Sequence, residues 1–266
     1  HNTLFVANSQ IRKTTDGMQS WTTISNFSGG NLNALAVAES DPDYIYTSRS
    51  GTIYKTDDGG NSWTDISYGL PNLYITYIHV HPSNPETLAV SFSGYEENEK
   101  VYISHDGGEN WENYSANLPN LPANCVIFYN DPLEGIYVGM DVGVYYRDNT
   151  LEEWEAFMQG IPNVIINELE IQYESGLIRA ATYGRGLWES PVRQTAPVAG
   201  FSADKQLVTP MCEVNFSNVS SGPPQSFNWW FEGGSPETSN DLNPQGIFWE
   251  NPGNYDVKLV IHNAMG

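Results

Sequence analysis

The sequence predicts an all-β fold, a partial β-propeller followed by a small β-sandwich, and three observations carry that prediction. A turn phrase recurs as Thr14-Thr-Asp16-Gly-Met-Gln-Ser-Trp21, Thr56-Asp-Asp58-Gly-Gly60-Asn-Ser-Trp63 and Ser104-His-Asp106-Gly-Gly108-Glu-Asn-Trp111, with the aspartates 42 and 48 residues apart. Short strand-like runs bounded by Gly, Pro, Asn and Asp flank each copy, and a period of roughly 40–50 residues with such signals marks propeller blades. The composition agrees: 16 Tyr, 8 Trp and 24 Gly against only 11 Lys plus Arg. A fourth, worn copy is read 42 residues after the third, as Asp148 with Trp154.

The strands follow in order. An incomplete first blade contributes its last three strands, beginning at Leu4-Phe-Val-Ala. The first whole blade runs Leu35-Ala-Val-Ala, Tyr44-Ile-Tyr-Thr, Ile53-Tyr-Lys-Thr and Trp63-Thr-Asp-Ile. The second runs Ile75-Thr-Tyr-Ile-His-Val, Leu88-Ala-Val-Ser-Phe, Val101-Tyr-Ile-Ser and Trp111-Glu-Asn-Tyr. The third runs Cys125-Val-Ile-Phe, Ile136-Tyr-Val-Gly, Val144-Tyr-Tyr-Arg and Trp154-Glu-Ala-Phe. A last incomplete blade supplies Ile166-Asn-Glu-Leu-Glu-Ile, Ile178-Arg-Ala-Ala and Leu187-Trp-Glu-Ser. Three whole blades and two incomplete ones leave open sheet edges. Further blades, in the same larger chain or from a partner chain, are expected to cover them.

The recurring phrase has a physical rationale. Gly59, Gly60, Gly107 and Gly108 tolerate the positive φ of a tight turn, the aspartate accepts from the turn's own N–H groups, and the tryptophan opens the next strand with a large apolar body. The phrase matches Ser/Thr-x-Asp-x-Gly-x-x-Trp, and the chain resembles the Asp-box (BNR) proteins: sialidases, xyloglucan-cleaving glycosidases and sortilin-like receptors. The resemblance implies that Asp16, Trp21, Asp58, Gly60, Trp63, Asp106, Gly108 and Trp111 are structural turn residues on the outer rim, away from the ligand face.

Residues 1–193 form the propeller portion, 194–197 a linker and 198–266 a second domain in this reading. In the last, Val214 and Phe216 alternate, as do Val257, Leu259 and Ile261, marking half-buried strands. Phe227-Asn-Trp229-Trp230-Phe231-Glu-Gly-Gly234 and Gly253-Asn-Tyr255-Asp-Val257-Lys-Leu259 resemble a PKD domain, a small immunoglobulin-like sandwich, with Glu232-Gly233-Gly234 in place of Gly-Asp-Gly. One more strand is expected beyond Gly266. With Gly143-Val-Tyr-Tyr-Arg-Asp and Ala181-Thr-Tyr-Gly-Arg-Gly-Leu-Trp, the chain resembles large secreted Bacteroidetes-type proteins that carry a type IX sorting domain. That resemblance implies an extracellular or cell-surface location.

Eleven basic against 32 acidic residues give a net charge of −21, which disfavours nucleic acid and anionic membranes as partners. No 18-residue apolar run exists, so no membrane insertion is expected. Cys125 and Cys212 each lie in an apolar run and are read as two buried free thiols.

Ligand chemistry is expected at the end of the propeller opposite the Asp-box turns, on second-to-third-strand turns and inter-blade connections. The first set offers Arg49, Tyr95, Glu96, Glu97, Asp141, Tyr183 and Arg185; the second offers Asn31, Tyr74, Asn120 and Asn163. Aromatic, carboxylate and guanidinium groups there suit a glycan or protein ligand. A glycoside hydrolase, sialidase- or xyloglucanase-like, is the alternative, and Asp141 with Glu96 or Glu97 is the one carboxylate pair the layout offers. A third channel arginine for a sialidase is not found. His79-Val-His81 puts two imidazoles on one strand face, but no third ligand follows at a readable spacing, so no metal site is read. No cofactor is expected; calcium suits the charge without an assignable site.

Overall fold

The computed structural model describes residues 3–193, 198–220 and 226–262, in two compact units, His1–Val192 and Arg193–Gly266. The expected linker, 194–197, lies outside the described residues. Among the described residues all regular structure is β.

The first unit holds five antiparallel sheets in chain order. Sheet I comprises β1 (Leu4–Ala7), β2 (Ile11–Thr14) and β3 (Thr22–Thr23). Sheet II comprises β4 (Ala34–Val37), β5 (Ile45–Arg49), β6 (Thr52–Thr56) and β7 (Thr64–Asp65). Sheet III comprises β8 (Ile75–His81), β9 (Asn84–Phe92), β10 (Val101–Ser104) and β11 (Glu112–Asn113). Sheet IV comprises β12 (Ala123–Tyr129), β13 (Gly135–Met140), β14 (Gly143–Arg147) and β15 (Glu155–Ala156). Sheet V comprises β16 (Ile166–Gln172), β17 (Leu177–Thr182) and β18 (Gly186–Pro191). Each sheet is a meander, and first strands lie side by side: β4 against β8, β8 against β12, β12 against β16. This is the arrangement of propeller blades around an axis.

Three apolar clusters seal the neighbouring sheets. Tyr46, Ile53 and Val90 pack between II and III; Ile103, Val126 and Phe128 between III and IV; Tyr137, Tyr146 and Ile178 between IV and V. Tryptophans reinforce the seams I–II, II–III and III–IV by donating the indole N–H to a carbonyl of the preceding sheet: Trp63 to Ile24 at 2.9 Å, Trp111 to Ile66 at 2.9 Å and Trp154 to Tyr114 at 2.8 Å. Trp21, in sheet I, is 38 % exposed.

The worn fourth copy differs from its sequence reading. Strand register aligns Thr56, Ser104 and Arg147 opposite Ile45, Leu88 and Ile136. Asn149, not Asp148, therefore stands at the box-aspartate position, five residues before Trp154. Asp148 turns inward instead, accepting from the Tyr146 hydroxyl at 2.9 Å and from the Thr150 amide and hydroxyl at 2.8 and 2.6 Å.

In the second unit, β19 (Phe201–Ala203) pairs with β20 (Phe216–Asn218), and β21 (Ser226–Phe231) is the central strand of a three-stranded sheet. β22 (Gly234–Ser235) pairs with β24 (Phe248–Trp249), while β23 (Thr238–Ser239) and β25 (Val257–His262) flank β21. Its core gathers Val214, Phe216, Trp229, Phe231, Leu259 and Ile261. Both cysteines are free, but only Cys125 is buried. Cys212, expected to be buried, is half-exposed because it closes a turn, its amide donating to the Thr209 carbonyl at 3.1 Å.

Candidate functional site

The Asp-box turns are closed by their own side chains. Thr56 Oγ1 donates to Asp58 Oδ1 at 2.7 Å, and Asp58 accepts from the Ser62 amide at 2.9 Å and the Ser62 hydroxyl at 2.7 Å. Asp16 does the same with Thr14 and Ser20, and Asp106 with Ser104 and Asn110. The Ser20 bonds hold the Asp16 carboxyl at about 2, the Asn110 bonds hold Asp106 at about 2, and the Ser62 bonds hold Asp58 lower still. Gly60 and Gly108 (φ +99° and +91°) sit on the preceding sheet, where an added Cβ would lie 2.5 Å from the Ile24 carbonyl oxygen or 2.4 Å from Ile66 Cδ1.

The first set of sequence-derived ligand residues sits at or beside second-to-third-strand turns, while Asn31, Tyr74, Asn120 and Asn163 lie on connections between sheets; the first set divides into two groups. Arg49, the last residue of β5, is drawn in: Nη1 donates to the Ser28 carbonyl at 2.6 Å and the guanidinium lies 5.7 Å from the Phe27 ring centroid. Its Nε and Nη2 are buried without partners. Asp141, after β13, accepts from Asn124 Nδ2 at 3.0 Å. Both therefore brace the connections beside them. The other group projects. Tyr95 is 67 % exposed between β9 and β10, with Glu96 and Glu97 exposed beside it; Tyr183 is 71 % exposed between β17 and β18, with Arg185 exposed two residues on.

The acidic turn has an internal anchor. Lys100 is buried and donates from Nζ to the Gly94 carbonyl at 3.0 Å, while the Tyr102 hydroxyl donates to Glu99 Oε2 at 2.5 Å. Burial lowers the Lys100 ammonium, and burial with the Glu99 bond raises the Tyr102 hydroxyl to about 12. Tyr74 is also exposed, and its carbonyl accepts from the Ser93 amide at 3.0 Å, tying the connection between sheets II and III to the start of the acidic turn.

First strands add a group that the sequence reading missed. The Tyr77 hydroxyl (β8) donates to Glu168 (β16), two sheets away. Burial and this carboxylate push the hydroxyl up. Glu39, His79, Glu170 and Tyr173 line the same cavity of about 320 Å³. Alternation within β8, which puts Tyr77 and His79 on one face, was the available signal. His79 Nδ1 accepts from the Phe128 amide at 3.3 Å, and burial holds its ring at about 4, hence neutral. No cluster of three or more metal-ligating side chains occurs among the described residues.

Fold and turns define the class: a β-propeller portion with Asp-box turns. A family model described as Sortilin-Vps10 (Sortilin, neurotensin receptor 3) matches residues 9–125. No curated protein matches the sequence. Among solved structures, the chain is similar to the GH74 enzyme of Niastella koreensis at 17 % identity and a TM-score of 0.54, over 71 % of this chain and 28 % of that one. It is similar to the GH74 xyloglucanase of Xanthomonas campestris at 15 % identity and a TM-score of 0.54, over 81 % and 42 %. YCF48 bound to D1 peptide is matched at 14 % identity and a TM-score of 0.50, over 91 % and 77 %. At these identities the likeness is one of fold, and the chain spans less than half the length of either GH74 enzyme.

Proposed function

We propose that the propeller portion is a glycan-binding module of a secreted or cell-surface protein, with the second unit a PKD-type spacer. The observation that carries this reading is the pair of projecting tyrosines, Tyr95 and Tyr183, each beside charged groups on turns at the end opposite the Asp-boxes. Exposed aromatic rings offer an apolar face to the C–H face of a sugar, and Glu96, Glu97 and Arg185 supply acceptors and donors for its hydroxyls. Similarity to a xyloglucanase makes a neutral plant-type polysaccharide the first candidate ligand, and further blades, in the same or another chain, extend the surface.

Isothermal titration of the full chain with xyloglucan oligosaccharides tests it. Tyr95→Ala and Tyr183→Ala are each expected to weaken binding about 5- to 10-fold, since one aromatic contact is worth roughly 1 kcal/mol. Absence of binding, or binding indifferent to both substitutions, overturns it. Release of reducing ends during the titration would favour the second reading, a GH74-like hydrolase, which rests on the shared fold.

A further inference from the structure

Sheet V stops one strand short of its neighbours. In sheets II, III and IV the third strand is followed by a short fourth, β7, β11 or β15, whereas β18 is the edge of its sheet among the described residues. The chain does not turn back to supply the strand. The Val192 amide donates to the Gly176 carbonyl at 3.0 Å, and from Arg193 the chain belongs to the second unit. An uncovered edge of this kind is a template for another strand.

Strand register defines what a fourth strand meets there. One rung across the strands joins Ala36, Tyr46, Lys55 and Thr64 in sheet II. The same rung joins His79, Ala89, Ile103 and Glu112 in III, and Ile127, Tyr137, Tyr146 and Glu155 in IV. In V it joins Glu170, Arg179 and Glu189, an alternation of charge that stops at a carboxylate. Arg179 Nε donates to Glu189 Oε2 at 2.8 Å, and both side chains are partly exposed. Opposite charges facing each other across strands stabilise a sheet, so the next place on this rung suits a cation.

The adjoining rung places Leu187 where the other sheets have Ile53, Val101 and Val144. The carbonyls of those three accept from the amides of Ile66, Tyr114 and Phe157 at 3.0, 2.9 and 2.8 Å, and their side chains are buried. The Ile53 and Val101 amides in turn donate to the Ser67 and Ser115 hydroxyls at 2.9 and 3.1 Å. Leu187 is 67 % exposed, and its carbonyl receives no corresponding amide among the described residues. One more acceptor is in place. The fourth strands of II, III and IV are preceded by Trp63, Trp111 and Trp154, whose indoles use the Ile24, Ile66 and Tyr114 carbonyls. The carbonyl in the same position for sheet V is that of Phe157, the residue after β15.

We infer that the outer edge of β18 docks an extended strand of a partner polypeptide with the pattern Trp-Lys/Arg-x-apolar. Its indole N–H donates to the Phe157 carbonyl, its cation sits opposite Glu189, and its apolar side chain covers Leu187 while the amide of that residue donates to the Leu187 carbonyl. Main-chain pairing supplies the affinity, and the alternate side chains select the partner. A second copy of this chain fits less well. Its own strands of this type carry Thr22, Thr64, Glu112 and Glu155 at the place of the cation, and all four are already paired.

Amide shifts and hydrogen exchange of the nitrogen-15-labelled full chain test the inference, with synthetic peptides of residues 60–67, Gly-Asn-Ser-Trp-Thr-Asp-Ile-Ser, as probes. Three peptides are compared: the unchanged sequence, Thr64→Lys and Thr64→Glu. The Thr64→Lys peptide is expected to shift the Leu187 and Glu189 amides, to protect the Leu187 amide from exchange, and to bind about 2- to 5-fold more tightly than the unchanged peptide, as one cross-strand charge pair does. The Thr64→Glu peptide is expected to bind most weakly, and Glu189→Lys in the protein to reverse the order of the two charged peptides. No binding, shifts confined to other strands, or an order unchanged in Glu189→Lys overturns the inference. So does a Leu187 amide already protected in the chain alone, which would mean that a second copy occupies the edge. If Glu189→Lys fails to fold, the three peptides against the unaltered chain decide the matter.

Discussion

At the scale of single residues, the repeated turn is a set of contacts that only particular side chains can make. Gly108 must be glycine twice over: its φ is positive and its Cα presses on Ile66. Gly17 has the positive φ (+70°) but open space around it. Gly108→Ala is therefore expected to cost about 2–4 kcal/mol, strain plus overpacking, and Gly17→Ala only about 1 kcal/mol. Urea denaturation midpoints of the two variants check the difference, and equal shifts would mean the contact with Ile66 is not a tight one. Trp111→Phe keeps most of the apolar area but leaves the Ile66 carbonyl without its donor, for a loss of about 1–2 kcal/mol. Arg49 and Asp141 were legible in the sequence as polar residues on the right turns. Their use was not, because the Ser28 carbonyl and Asn124 that occupy them lie about 20 residues away in sequence and only the fold brings them close.

At the scale of the element, each Asp-box is a turn whose stability depends on an ionised carboxylate. Asp16 and Asp106 are held at about 2 against an ordinary 3.8, by their bonds to Ser20 and Asn110. A carboxyl lowered in the folded state binds its proton more readily when unfolded, so its contribution is complete above pH 3.8 and is lost as pH falls through about 2. Carbon-13 titration of the aspartate carboxyls should show these two still ionised at pH 3, and Asp106→Asn should flatten the acid limb of the stability curve. Midpoints near 4 would show that the bonds do not favour the charged form. The strand order of all five sheets was legible because short alternating runs and glycine turns are local signals. The worn copy was not, since Asp148 and Asn149 are adjacent and equally plausible in the text; the pairing of Ile136 with Arg147 selects Asn149.

At the scale of the whole molecule, charge and seams dominate. A net charge of −21 on 266 residues opposes compaction by self-repulsion. Raising sodium chloride from low to physiological concentration should raise the thermal midpoint, because the Debye length shrinks to about 8 Å. A midpoint that falls with salt would show instead that the attractive pairs, such as Arg179 with Glu189 at 2.8 Å, outweigh the repulsion. The seams differ at one register position of the second strands: Tyr46 in sheet II and Tyr137 in sheet IV, but Ala89 in sheet III, where Phe128 and Trp154 supply the aromatic bulk of the seam with IV.

The amino-acid order alone determined the class of fold, the strands of each sheet and the turn chemistry, since all three rest on interactions within about ten residues of chain. Only the tertiary structure decided which polar groups remain available to a ligand. Tyr77 meets Glu168 across 91 residues, and one cavity gathers residues from His81 in sheet III to Asn149 after the third strand of sheet IV. Such pairings depend on how whole sheets are stacked, and no local periodicity encodes that.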